Sequence, residues 1–295
     1  MRQAENKVYI EGILAEVDIK EGQFVREGQN VDYISGDIKV KVSQELNGET
    51  KDIEVPVSMF ATKFTKKGTP NPAYKSIKSV ATEFTSIAAA GGEAGADRVK
   101  LTGDLIENAF PGRNGEITSY PRVRASFVNK VSATDCVPKA TFNIELVVAS
   151  KNAEVDKDGV ETGRYIVKGI VPQYGGKVDV MDFIGMSKGV VNALSTYWTV
   201  GDTFRAQGKL NFTSTTREVK TEVDFGEPEV RVYTSHVSEL VITGGSQTPL
   251  EGDFAFDANE IKTALAARKQ RLEDLKNKTP KSPAAPSFNS SDLGF

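Results

Sequence analysis

The chain of 295 residues has one cysteine, Cys136, one histidine, His236, and one tryptophan, Trp198. A single cysteine makes no internal disulfide, which fits a reducing cytosol. One histidine and one cysteine do not furnish the donor set of a transition-metal site. No run of about 18 apolar residues is present, so the sequence predicts no membrane-spanning helix and no membrane partner. The opening stretch, Met1 to Lys7, lacks the apolar core of a secretory signal, and the expected location is the cytoplasm. Charge of one sign is also lacking. The net charge is −3, divided as 0 over residues 1–132, −3 over 133–245 and 0 over 246–295. A strongly basic domain is the usual electrostatic footprint of nucleic-acid binding. Any polyanion site here must come from where the cations sit.

Catalytic motifs are missing too. Ala90-Gly-Gly-Glu-Ala-Gly95 is glycine-rich but has no Gly-Lys-Ser/Thr ending for a phosphate loop. Asp156-Lys-Asp-Gly159 lacks the later acids of a calcium loop and reads as an Asp-Gly hairpin turn. The sequence therefore predicts a protein that binds and is not an enzyme, with no cofactor and no metal.

What is there is a unit written twice. Asp97-Arg-Val-Lys-Leu-Thr-Gly103-Asp-Leu105 reads like Asp202-Thr-Phe-Arg-Ala-Gln-Gly208-Lys-Leu210 at an offset of 105. Ser126-Phe-Val128 reads like Ser235-His-Val237 at an offset of 109. Internal repetition of this kind decides the architecture. In the first copy, strands are expected at Lys7–Val17, Ile38–Val42 and Ile53–Met59, the last two joined across Asn47-Gly48. Asn71-Pro72 opens a helix reaching Ile87. Strands at Arg98–Ile106 and Ile117–Val131 follow, joined by a loop over Glu107–Glu116. The second copy repeats the order, with strands at Thr141–Ala149, Arg164–Val171 and Lys177–Phe183. A helix from Ser187 to Trp198 comes next, then strands at Thr203–Thr213 and Val230–Thr243.

Three strands, a helix and two strands is the order of an OB-fold, a five-stranded Greek-key barrel whose usual ligands are oligonucleotides and oligosaccharides. The fold class expected is mainly β: two OB-fold-like five-stranded barrels each with one helix, plus a C-terminal helix and a disordered tail. The barrels are assigned to residues 1–132 and 133–245. Residues 246–278 hold a linker and a charged amphipathic helix opened by Asp257-Ala-Asn-Glu260, a capping box. Its stripe of Ile261, Leu265, Leu272 and Leu275 needs a barrel or a partner to pack on, and self-association through 257–277 is one outcome. Residues 279–295 are rich in Pro, Ser, Ala and Asn and read as disordered.

Two barrels, a charged helix and a tail ending Ser290-Ser-Asp-Leu-Gly-Phe295 resemble a phage-type single-stranded DNA-binding protein. Asp292, Leu293, Gly294 and Phe295 match the tip of such proteins position by position, with Gly for Pro and fewer acids. The resemblance implies non-specific binding and protection of single-stranded DNA during phage replication or recombination, in the host cytoplasm. It also implies a tip, Asp292, Leu293 and Phe295, that docks replication or recombination proteins.

Single-strand binding needs cations along the phosphates and aromatic faces under the bases. The repeat nominates Lys100 with Arg205 on the fourth strands, and Arg122 with Arg231 and Arg124 with Tyr233 on the fifth. Alternation places Arg122 and Arg124 on one face and Val123 on the other. Solvated faces or cross-strand pairing with acids would produce the same pattern. The loop before the first helix adds Lys63, Phe64, Lys66 and Lys67. Tyr120 and Tyr174 are further stacking candidates, with Phe110 beside the first. Trp198, Phe204 and Phe212 read as core. Two rival functions fit the same barrels: a structural or assembly protein of a virion, and a saccharide-binding module.

Overall fold

The computed structural model describes residues 1–112, 115–221 and 229–277; for 215–221, 229–231, 233 and 234 it describes the backbone alone. The first five strands are β1 (Asn6–Arg26), β2 (Gln29–Leu46), β3 (Glu49–Thr62), β4 (Arg98–Pro111) and β5 (Ile117–Val131). Strict alternation drives their packing. On β3, Ile53, Val55, Val57, Met59 and Ala61 turn inward and are buried. Two-residue turns join β1 to β2 at Glu27-Gly28 and β2 to β3 at Asn47-Gly48, with φ of 52° and 77°, and 52° and 83°. Positive φ at both central residues is the type I′ geometry, whose twist matches that of the strands. β1 pairs with β2, β2 with β3, β3 in parallel with β5, β5 with β4, and β4 back with β1. The ring closes.

Between β3 and β4 lies α1 (Pro72–Glu83), capped by the Asn71 side chain accepting from the Ala73 N–H. It buries Ile77 and Val80 in the barrel core. The expected single helix to Ile87 is interrupted: Phe84 is extended, Ser86 caps again, and the short α2 (Ile87–Ala90) ends at left-handed Gly91. The expected loop at Glu107–Glu116 is strand as far as Pro111, where β4 ends.

The second ring repeats the first. Its members are β6 (Lys139–Val155), β7 (Glu161–Pro172), β8 (Val178–Gly185), α3 (Lys188–Tyr197), β9 (Thr203–Thr221) and β10 (Glu229–Gly245). β6 pairs with β7, β7 with β8, β8 in parallel with β10, β10 with β9, and β9 with β6. Trp198 is buried and stacks on Phe204 at 4.8 Å, its Nε1 donating to the Ser246 carbonyl. The molecule is thus mainly β, two OB-fold-like five-stranded barrels.

β1 also pairs with β6, from Asn6↔Ile144 to Glu11↔Lys139, so both rings share one ten-stranded sheet. Buried amides satisfy the backbone at this junction. Gln44 donates to the Leu210 carbonyl at 2.8 Å and accepts from the Ala140 N–H at 3.0 Å. Asn6 makes the same two-way contact with Leu105.

The last element is α4 (Ala258–Asn277), with Asp257 accepting from the Asn259 and Glu260 N–H groups at 2.9 Å. Ile261 and Ala264 are buried in the core and Leu265 packs against it. The first half of the apolar stripe is therefore occupied within the chain, while Leu272 and Leu275 are half-buried. Farther along, Arg268 grips Glu107 of β4 and Arg271 reaches Asp179 of β8 at 3.4 Å. The tail reading and the tip residues Asp292, Leu293 and Phe295 lie outside the described residues.

Candidate nucleic-acid interface

The β1–β2 hairpin extends beyond the closed part of the first barrel. Gly22 of β1 stands opposite Tyr33 of β2. A Cβ at Gly22 would lie 2.7 Å from the Tyr33 ring, so the glycine lets that ring lie flat across the strand. Tyr33 contacts Phe24 at 5.7 Å, tilted, and Phe60 of β3 at 5.7 Å, stacked. Phe60 is 53% exposed because alternation turns it away from the core residues Met59 and Ala61. Three rings thus lie in a row on the outer side of β1–β2–β3, with Phe24 and Phe60 exposed and Tyr33 half-buried between them. Strands two and three are the ligand face of OB-folds generally.

Beside this row is the loop from Lys63 to Asn71. It is ordered by an isolated bridge between Phe64 and Pro70 and by a hydrogen bond between the Thr65 and Thr69 hydroxyls at 2.8 Å. Phe64 is 52% exposed. Lys66 and Lys67 project from the tip with no side-chain partner among the described residues. Lys63 is different: its Nζ donates to Asp32 at 3.0 Å. That bond raises the lysine pKa and lowers that of Asp32.

The β4–β5 hairpin carries Tyr120, edge-on to Phe110 at 5.9 Å. Arg122 and Arg124 do share a face, with Val123 buried between them. Each holds a carboxylate, Arg122 with Asp37 and Arg124 with Asp104, so neither is a bare cation.

The recurring pair on the fourth strands faces carboxylates. Lys100 on β4 opposes Glu11 on β1, and Arg205 on β9 opposes Glu145 on β6. What recurs is a cation set across from an acid on the neighbouring strand. Arg205 binds Glu145 at 2.9 Å and Glu5 at 3.3 Å, and Arg2 reaches the same Glu145 at 2.6 Å. Glu145 is 3% exposed. Burial raises its pKa, but the Glu5 N–H and the two guanidiniums outweigh that and hold it below the ordinary range. Arg205 is committed to this cluster. Lys100 is exposed and has no ion-pair partner within 4 Å among the described residues.

In the second barrel, Arg231 and Tyr233 stand on β10 opposite Val219 and Arg217; their side chains lie outside the described residues. Tyr174 sits in the turn between β7 and β8 and is 83% exposed. Two clefts open where the barrels meet. One, of about 450 Å³, is lined by Tyr120, Lys168 and Arg268 among others. The second, of about 440 Å³, brings together Arg124, Tyr174, Lys177 and Arg271. Sequence reasoning missed Phe24, Tyr33, Phe60, Lys168, Lys177 and Arg271. Outward parity on β3 was the available signal for Phe60; nothing local flagged the others.

The YorF family model matches residues 4–278. The chain belongs to the YorF family. No curated protein sequence matches it. Among solved structures, this YorF-family chain is similar to the crystal structure of the wild-type single-stranded DNA-binding protein from Thermus aquaticus. That match has a TM-score of 0.50 and 10% identity, over 85% of this chain and 96% of that one. A deletion mutant of the same Thermus protein matches with a TM-score of 0.47 and 12% identity, over 85% and 98%. At these identities the likeness to the wild-type structure is one of fold.

Proposed function

We propose that the protein binds single-stranded DNA without sequence preference and protects it during phage DNA replication or recombination. The observation that carries this reading is the row Phe24–Tyr33–Phe60 on the ligand face of an OB-fold, flanked by Lys66 and Lys67, which have no side-chain partner among the described residues. Rings supply stacking that any base satisfies, and lysines supply charge without sequence information. The fold shared with a single-stranded DNA-binding protein supports it. Lys63, Phe64, Lys66, Lys67, Lys100 and Tyr120 form the first barrel's set, and Arg122 and Arg124 exchange Asp37 and Asp104 for phosphates. Arg231, Tyr233 and Tyr174 serve the second barrel. Residues 1–132 and 133–245 are two copies of one binding unit, and Asp292, Leu293 and Phe295 dock replication or recombination proteins. The process is equilibrium binding with no chemical step.

Fluorescence titration with labelled oligo-dT at low and high salt tests this. Binding at micromolar protein or tighter is expected, with affinity falling as salt rises by about 0.7 in log–log slope per neutralised phosphate. Phe60→Ala, which removes an exposed ring, is expected to cost about 1–3 kcal/mol of binding through one lost stack. No binding at low salt rejects the proposal.

A further inference from the structure

The second cleft between the barrels has three walls from distant parts of the chain. One is the β4–β5 hairpin, with Arg124. Another is the β7–β8 turn, with Tyr174 and Lys177. The third is α4, with Arg271 and Leu275. Its volume of about 440 Å³ falls within the roughly 300–1,000 Å³ of small-ligand sites.

Each wall is held in place. Gly175 and Gly176 have φ of 76° and 73°, left-handed values that side chains resist, so the turn projects Tyr174 clear of the barrel. The turn is anchored by Gln173, which is buried and donates to the Leu105 carbonyl at 3.2 Å. The hairpin and β8 interlock: the Glu107 N–H donates to Asp179 at 3.2 Å and the Val180 N–H to Glu107 at 3.4 Å. Arg268 of α4 then donates to Glu107 at 2.7 Å, fixing the helix over the junction.

The lining carries three cations, Lys177, Arg124 and Arg271, and two carboxylates, Glu107 and Asp179, of which Arg268 holds the first and Arg271 reaches the second. Lys177 is exposed with no ion-pair partner among the described residues. Arg271 makes one long contact, 3.4 Å, to Asp179, and Arg124 makes one contact to Asp104. A guanidinium has five N–H donors, so most of theirs remain for an anion. Tyr174, at 83% exposure, offers a face beside them.

We infer that this inter-barrel cleft is a nucleotide subsite, in which Lys177, Arg124 and Arg271 hold phosphodiester groups while a base stacks on Tyr174, so that α4 is a wall of the nucleic-acid interface. The inference rests on the single-strand reading and deepens it: a strand passing from the first barrel to the second is held at the seam. Only a ligand long enough to leave the first barrel feels it.

The test uses the full chain and two labelled oligo-dT probes. One has about 5 nucleotides, enough for a single barrel, and one about 30, enough for both. The double variant Tyr174→Ala/Lys177→Glu is expected to bind the long probe tenfold or more weakly, with a smaller salt slope, and to lose much less on the short probe, which the first barrel still holds. Lys188→Glu, on α3 away from both clefts, makes the same charge change and is expected to leave both affinities intact. Arg271→Ala should weaken the long probe too, and its melting temperature, with that of the double variant, reports that the barrels remain folded. Equal binding of the long probe by wild type and the double variant overturns the inference while the single-strand reading stands. So does an equal loss in Lys188→Glu, or an equal loss on both probes. Failure of wild type to bind either probe overturns the underlying reading itself.

Discussion

At the scale of single residues, a cation's role here is set by the carboxylate that faces it. Arg205 and Lys100 occupy equivalent places, yet Arg205 neutralises a buried Glu145 shared with Arg2 while Lys100 stays exposed. Arg205→Ala is expected to destabilise the fold by about 1–3 kcal/mol, the cost of an undersatisfied buried charge, since Arg2 remains. It should leave the salt slope of oligonucleotide binding unchanged. Thermal melting and the titration check the two halves, and a weakened slope at unchanged stability would return Arg205 to the interface. Sequence alternation correctly paired Arg122 with Arg124 on one face. It was silent on Asp37 and Asp104, because they come from other strands of the ring, β2 and β4, and cross-strand register is not written locally.

At the scale of elements, the β1–β2 hairpin was the least legible part. Only Lys7–Val17 of β1 reads as strand, yet the strand runs to Arg26. Beyond Ile19, the last β1 residue packed on the core, every residue of the strand but Gly22 is exposed, so no buried face imposes a period-two pattern. Asn47-Gly48, by contrast, was plain because type I′ geometry demands those residues. Gly22 is the hairpin's requirement beside the ring row. Gly22→Val is expected to push Tyr33 off its stack and lower oligo-dT affinity severalfold, while the melting temperature moves little because the position lies outside the core. Unchanged affinity would show that the ring row does not bind bases. The short α2 follows from Ser86, a cap that competes with continuation of α1.

At the scale of the whole molecule, the barrels share a sheet through β1 and β6 and a single contiguous core. Their unfolding is therefore expected as one cooperative transition, with calorimetric and van't Hoff enthalpies equal. Two resolved transitions in calorimetry would show that the barrels fold independently. Acid should weaken the fold. Glu145 is held below its ordinary 4.5, so its contribution is full above that pH and is lost as pH falls through its lower folded value. Glu11, anchored first by the Val137 N–H, and Asp97, where Lys130 and Thr85 outweigh burial, act in the same sense. Asp179, raised by burial, acts oppositely: its contribution is greatest below its ordinary value and fades as pH rises. A melting temperature that drops between neutral pH and pH 4, with a smaller drop in Glu145→Gln, is the expected result. An unchanged drop in that variant would remove Glu145 from the acid sensitivity.

The amino-acid order alone determined that two barrel-forming runs of strands lie in series, where the three longer helices start and that Trp198, Phe204 and Phe212 are core. These follow from alternation, caps and turns, which act over a few residues. Tertiary structure decided which cations stay free, which rings align and how α4 joins two barrels at Glu107 and Asp179. Those outcomes depend on groups distant in the chain being brought into contact by strand register, ring closure and the β1–β6 seam, and short-range patterning carries no record of such meetings.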